Sequence, residues 1–138
     1  MDAVEIAHCG RWFPYNGYRY PFWWFDLKHK RAMHIDALCE TMGYKSADGI
    51  NVDECRMAGY IPWFRLDIPA LEREYALTYL PKQESKRLLA MDNRAMDYDF
   101  GRVIEKLGMV GHWYAYELEA LLSAAEAWRR ENRINIIN

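Results

Sequence analysis

The side chains of this sequence that could do chemistry are four histidines (His8, His29, His34, His112), three cysteines (Cys9, Cys39, Cys55) and scattered carboxylates. Their spacing makes no reactive constellation. A zinc centre draws on paired ligands, and the chain has neither a C-x-x-C pair nor an H-E-x-x-H helix. His29 and His34 are an odd number of residues apart, so on one continuous strand they would point to opposite faces. Cys39 has no recognisable base and orienting partner and reads as a buried thiol. Glu117 and Glu119, two apart on a helix, diverge and cannot flank one substrate bond.

Asp99-Phe100-Gly101 has the letters of the magnesium-binding tripeptide of protein kinases. The glycine-rich phosphate loop and the His-Arg-Asp loop that give it meaning are missing, and Asp99 reads instead as the cap of a helix. Asp92, Asp97 and Asp99 lack the spacing of a calcium loop. The sequence therefore assigns no catalytic residue, no metal and no cofactor, and a small enzyme of unidentified reaction stands only as an alternative.

The distinctive surface is the stretch from Arg11 to Arg31. It holds five cations (Arg11, Arg19, Lys28, Lys30, Arg31) against one carboxylate, Asp26, and aromatics interleave the charges. Arg11, Trp12, Tyr15, Tyr18, Arg19, Lys28 and Lys30 are the candidate binding residues. Tyr, Trp and Arg dominate interface energetics, so a protein partner or a second copy of the chain is the first reading. Single-stranded nucleic acid is the alternative, through base stacking and phosphate contact. Against it, a net charge of -2 and a pI near 6.1 give no long-range attraction to phosphate.

The elements that must carry these residues follow from periodicity. Asp2 as a cap and Gly10 as a stop favour a short helix over the strand that Val4 and Ile6 would allow. RWFPYNGYRY (11–20) is turn-bearing. Phe22 to Leu27 reads as a strand, with Trp23, Phe25 and Leu27 on the face that covers a helix layer. Lys28 to Arg31 turn it into a hairpin returning over Ala32 to Ile35, without the usual Asn-Gly signal. Asp36 is placed to cap a helix over Ala37–Met42, and Tyr44 to Glu54 reads as a loop. YIPWFRL (60–66) reads as a strand that Pro62 sends to an edge. Asp67 starts a helix with Ile68, Leu71, Tyr75 and Tyr79 in its stripe, and a surface helix, Lys82 to Met91, leads into an acidic loop, Asp92 to Asp99.

Two helices close the chain. Phe100, Val103, Ile104 and Leu107 predict one of two to three turns, stopped by Gly108. Tyr114, Leu118, Leu121, Leu122, Ala125 and Trp128 predict the longest helix, with Glu117 outside its stripe and Trp128 buried. The whole reads as one α+β domain over 1–138: a small antiparallel sheet or hairpin in the N-terminal half, packed by C-terminal helices. With 51% hydrophobic residues it is far from disordered. Three widely spaced cysteines suit reduced thiols and a cytoplasmic setting, and no segment reads as a membrane span or signal peptide.

WWFDL (23–27) with its hairpin return, Tyr60-Ile61-Pro62 leading into a helix, and the closing FGRVIEKLG (100–108) and HWYAYELEALLSAAEAW (112–128) together resemble an uncharacterised bacterial protein family, number 0158 in the uncharacterised-protein series. The resemblance covers most of Phe22 to Ile134, and its most specific part is the closing pair of helices. It implies a shared fold. Because that family has no established activity, it implies no catalytic residue.

Overall fold

The structure, a computed structural model, describes residues 2–134. In chain order its elements are α1 (Ala3–His8), β1 (Arg11–Trp12), β2 (Trp23–Asp26), β3 (Arg31–His34), α2 (Ile35–Met42), α3 (Val52–Met57), β4 (Tyr60–Pro62), β5 (Leu66–Asp67), α4 (Ile68–Tyr79), α5 (Lys82–Leu89), α6 (Asn93–Lys106) and α7 (Val110–Glu131). Single 3-10 turns occupy Pro14–Asn16 and Ala47–Gly49. The class is α+β: a three-stranded antiparallel sheet, ordered β3-β2-β4, with the C-terminal helices packed against it.

Strand β2 sits in the middle of that sheet and is buried on both faces. Phe25 belongs to the larger apolar cluster, built mainly from α4, α6 and α7, while Trp24 belongs to a smaller one with Ile35, Leu38, Cys39, Ile50 and Cys55. Successive side chains on a strand point to opposite faces, so one four-residue strand serves two cores. The expectation of one buried face was therefore half correct. Phe25 faces the helices, Trp24 fills the second core, and Leu27 falls beyond the strand, where it is exposed.

The large cluster is joined by indoles. Trp63 and Trp128 stack with ring centroids 5.0 Å apart, and Phe25 meets both edge-on at 5.9 and 5.8 Å. Three of the buried indoles donate to backbone carbonyls: Trp63 to Ile6, Trp128 to Pro62 and Trp24 to Pro21. Pro62 cannot donate to a ladder, which suits the edge strand β4, and its free carbonyl ties that edge to α7. Arg73 of α4 clamps the α5–α6 connection by donating to the Leu89 and Met91 carbonyls and to Asn93 Oδ1.

Several helix boundaries differ from the sequence reading for identifiable reasons. Helix α6 starts at Asn93, not Phe100, because Asp92 is its cap and accepts from the Ala95 amide at 2.9 Å. Met96 then extends the stripe one turn ahead of Phe100. Asp99 lies inside the helix and pairs with Arg87. Helix α2 starts at Ile35, and its cap is His34, whose Nδ1 accepts from the Asp36 amide. The stretch read as a loop holds α3, capped by Asn51 but burying only Cys55 fully, too little apolar pattern to announce a helix.

Asp26 supplies what the hairpin turn lacks in sequence signal. It is 2% exposed and accepts from the Lys28 amide at 3.0 Å, the His29 amide at 3.1 Å and His29 Nδ1 at 2.8 Å, while Lys30 takes a left-handed φ of 51°. Burial alone would push this carboxyl up, but the His29 side chain and the two amides outweigh it and hold the group below its ordinary 3.8. A depressed carboxyl stabilises the fold above its unfolded pKa and loses that contribution as pH falls through the folded one. Asp26→Ala is accordingly expected to lower the urea unfolding free energy by about 2–4 kcal/mol at pH 7, and the deficit to shrink below about pH 4. A deficit undiminished at about pH 2 would show that the turn does not depend on the ionised group.

Candidate functional site

Residues 11–22 form a strap across the helical core. Its first two residues pair in parallel with β5, Arg11 opposite Leu66 and Trp12 opposite Asp67, and the Leu66 amide donates to the Gly10 carbonyl at 2.8 Å. Only glycine fits at position 10, since a Cβ there would overlap the Phe64 ring. The strap then makes the Pro14–Asn16 turn, leaves it through Gly17 in the left-handed region (φ 76°), and runs through Pro21 into β2.

On its outer side the strap lines a cleft of about 150 Å³. Trp12, Phe13, Tyr18, Phe22 and Trp23 give it aromatic walls, and Arg11 and Arg65 are also among its lining residues. No carboxylate is among its lining residues. The Arg65 guanidinium lies over the Trp12 ring at 4.9 Å and donates through Nη1 to the Arg19 carbonyl. Tyr18 is 53% exposed and meets Phe22 edge-on at 4.6 Å, and Phe22 in turn stacks on the His34 ring at 6.3 Å. Cys9 also borders the cleft, but burial and the nearby Glu5 charge push its thiol up, the opposite of an activated nucleophile.

On its inner side the strap touches an acidic cluster contributed by three helices. Glu72 of α4 is 4% exposed, Glu117 of α7 is 5% exposed, and Asp97 of α6 stands beside Glu72. Arg11 reaches down to Glu117 with Nη2 to Oε2 at 3.2 Å, and Tyr15 donates its hydroxyl to Asp97 Oδ2. Arg94 donates to the Tyr15 carbonyl and lies over its ring. Desolvation, the hydrogen bond to Asp97 and the charges of Asp97 and Glu117 push Glu72 up to about 10, so it is a neutral acid at pH 7. As a neutral acid it donates one hydrogen bond, and its Oε1 is left without a partner. Burial and the bond to Asp97 likewise push the Tyr15 phenol up to about 12.

The candidate residues named from the sequence thus divide. Arg11, Trp12 and Tyr18 meet at the cleft, and Arg19 flanks it through its carbonyl while its guanidinium lies over Tyr20. Tyr15 turns inward to Asp97. Lys28 and Lys30 belong to the turn beyond Asp26, at the end of β2 away from Trp23, about 10 Å along the strand. Arg65, Phe22 and Trp23 complete the cleft and had not been singled out as binding residues. Glu117, read as solvent-facing, replaces Tyr114 in the buried stripe with Trp113, Leu121, Ala125 and Trp128, and Tyr114 is 60% exposed. What draws Glu117 inward is Arg11.

Among the described residues no group of three His, Cys, Asp or Glu side chains is placed to hold a metal ion, and no helix is long and apolar enough to cross a membrane. Comparison of the chain with models of protein families, with curated proteins and with solved structures finds no match in any of the three.

The acidic cluster makes stability depend on pH in a direction opposite to Asp26. The folded pKa of Glu72 is raised above its ordinary 4.5, so folding takes up a proton between pH 4.5 and about 10, and stability falls across that window. Glu72→Gln keeps the shape and a donor toward Asp97. It is expected to melt with wild type near about pH 4 and roughly 5 °C higher at about pH 8. A difference in Tm that does not vary with pH would mean that Glu72 is ionised in the folded protein.

Proposed function

We propose that this chain is a cytoplasmic protein-binding or regulatory module, whose cleft beside Trp12 and Tyr18 receives a side chain of a protein partner. The observation that supports this best is the lining: five aromatic rings and two arginines with no carboxylate, beneath the exposed Tyr18. That is the composition of an interface hot spot. Its volume of about 150 Å³ is below the 300–1,000 Å³ common for small-molecule and cofactor sites, and suits one anchoring side chain. The free thiols Cys9, Cys39 and Cys55 are in keeping with a reducing compartment. Membership of the uncharacterised family that the closing helices resemble is part of this reading and brings no activity with it.

Nucleic acid is the weaker alternative. A single strand needs a continuous basic track with stacking rings, whereas Lys28 and Lys30 lie at the far end of β2 from the cleft. Self-association through the same cleft is tested by the same variants. Tyr18→Ala and Trp12→Ala are expected to weaken binding of whatever protein co-purifies with the tagged chain, or its self-association by light scattering, by at least about tenfold. Circular dichroism checks that both variants fold. Unchanged binding in both, or binding abolished by nuclease, would count against a protein-docking cleft.

A further inference from the structure

We propose that His29 accepts a phosphoryl group on Nε2 from an N-phosphorylated donor, with Asp26 as the positioning residue and Arg31 facing the transferred group. The site lies at the β2–β3 turn, stands apart from the cleft and goes beyond the docking reading.

Asp26 settles which nitrogen of His29 is free. Its carboxyl is held below the ordinary value and is ionised at pH 7, so it accepts hydrogen bonds and donates none. At 2.8 Å from Oδ2, Nδ1 therefore carries the proton of the neutral ring, and Nε2 keeps its lone pair. The Asp26 side chain is 2% exposed and that of His29 is 57% exposed, so the carboxylate holds the ring from inside while solvent reaches the rest of it. The other described histidines lack this arrangement. His34 Nδ1 accepts from the Asp36 amide, which puts the ring proton on Nε2, and His112 Nδ1 meets the Tyr75 hydroxyl at 2.7 Å. His8 is exposed and has no hydrogen-bonded side-chain partner among the described residues.

The charge around His29 suits a dianion. Arg31 Nε comes within 3.6 Å of Asp26 Oδ2, the same oxygen that holds His29, so guanidinium and imidazole stand side by side over one buried atom. Arg31 is 66% exposed, and Nε is its nearest nitrogen to that carboxylate, which leaves the Nη groups for a phosphoryl oxygen. Lys28 and Lys30 flank the histidine, both exposed, and the run from Leu27 to His34 contains no acid. One buried carboxylate cannot neutralise Lys28, Lys30 and Arg31 together, and the excess positive charge is local to His29.

In the transfer, the Nε2 lone pair attacks phosphorus and an N–P bond forms. The P–N bond of the donor breaks, and its electron pair leaves on the already protonated donor nitrogen, which departs as an amine. The ring becomes a cation that still carries its Nδ1 proton, and the Asp26 carboxylate opposite that proton stabilises it. One N–P bond replaces another, so no further reactant is needed.

The test treats the intact protein with potassium phosphoramidate in alkaline buffer and follows each histidine by mass spectrometry and phosphorus–proton NMR. Label is expected on His29 at Nε2, at least about tenfold faster than on His8, the exposed reference. Asp26→Asn keeps an acceptor for the Lys28 and His29 amides but turns its NH2 toward Nδ1, which moves the ring proton to Nε2. It should bring the His29 rate down to that of His8. Arg31→Gln should slow His29 by about fivefold and leave His8 unchanged. If Asp26→Asn does not fold, Arg31→Gln and the ratio of His29 to His8 in the wild type decide the matter. Equal rates at His29 and His8, label on Nδ1, or wild-type labelling of His29 in a folded Asp26→Asn would each overturn the assignment.

Discussion

The stack of Trp63 on Trp128, with Phe25 set edge-on to both, is the contact on which the other packing of this fold depends. Phe25 is the central strand, Trp63 is the exit from β4, and Trp128 is the last turn of α7, so three rings join the sheet to the longest helix. Both of these indoles donate their N–H to a backbone carbonyl, and the acceptors belong to yet other elements, Ile6 in α1 and Pro62 in β4. The hydrogen bonds therefore fix which elements meet, while the apolar area supplies most of the free energy of bringing them together.

Once the sheet is held in that way, the strap has a defined floor. The floor is unusual in being acidic. Glu72 and Glu117 occupy helix positions that a simple core would give to leucine, and the fold tolerates them by two different devices: Glu72 keeps its proton, and Glu117 is paired with Arg11. Both devices depend on the strap or its neighbours, so the interior of the helical layer and the aromatic surface above it are parts of one arrangement. Arg11 is the residue that belongs to both.

How much of this could be read from the sequence follows from the range of each interaction. Helix α7 and its stop-and-start at Gly108 are written locally, in apolar spacing and a glycine that takes φ 68°. The same holds for the caps at Asp2 and Asp67, which bond three residues ahead. The start of α6 was obscured because Asp92 and Asp99 are equally good caps, and only Met96, four residues before Phe100, decides between them. Glu117 was out of reach: a glutamate on an amphipathic helix reads as outward unless its cation is visible, and that cation is 106 residues away in the chain. Part of the aromatic and basic stretch 11–31, which the sequence marks as one surface, lines a single cleft, but counting charge along the chain merged two surfaces that strand β2 holds apart. Arg65 escaped notice because its neighbours in sequence, Phe64 and Leu66, mark it only as a polar position in a strand.

The anchors of the strap also set an order on the making of the molecule. Arg11 and Tyr15 are synthesised before the partners that hold them down, Glu117 and Asp97, which follow 106 and 82 residues later. Contacts that distant close large loops and form late. Until α6 and α7 exist, the strap has only its pairing with β5 and the Arg65 contact to hold it, and its inward anchors are missing. The strap is thus made before the helices that secure it, and its docking onto Glu117 and Asp97 follows the formation of α6 and α7.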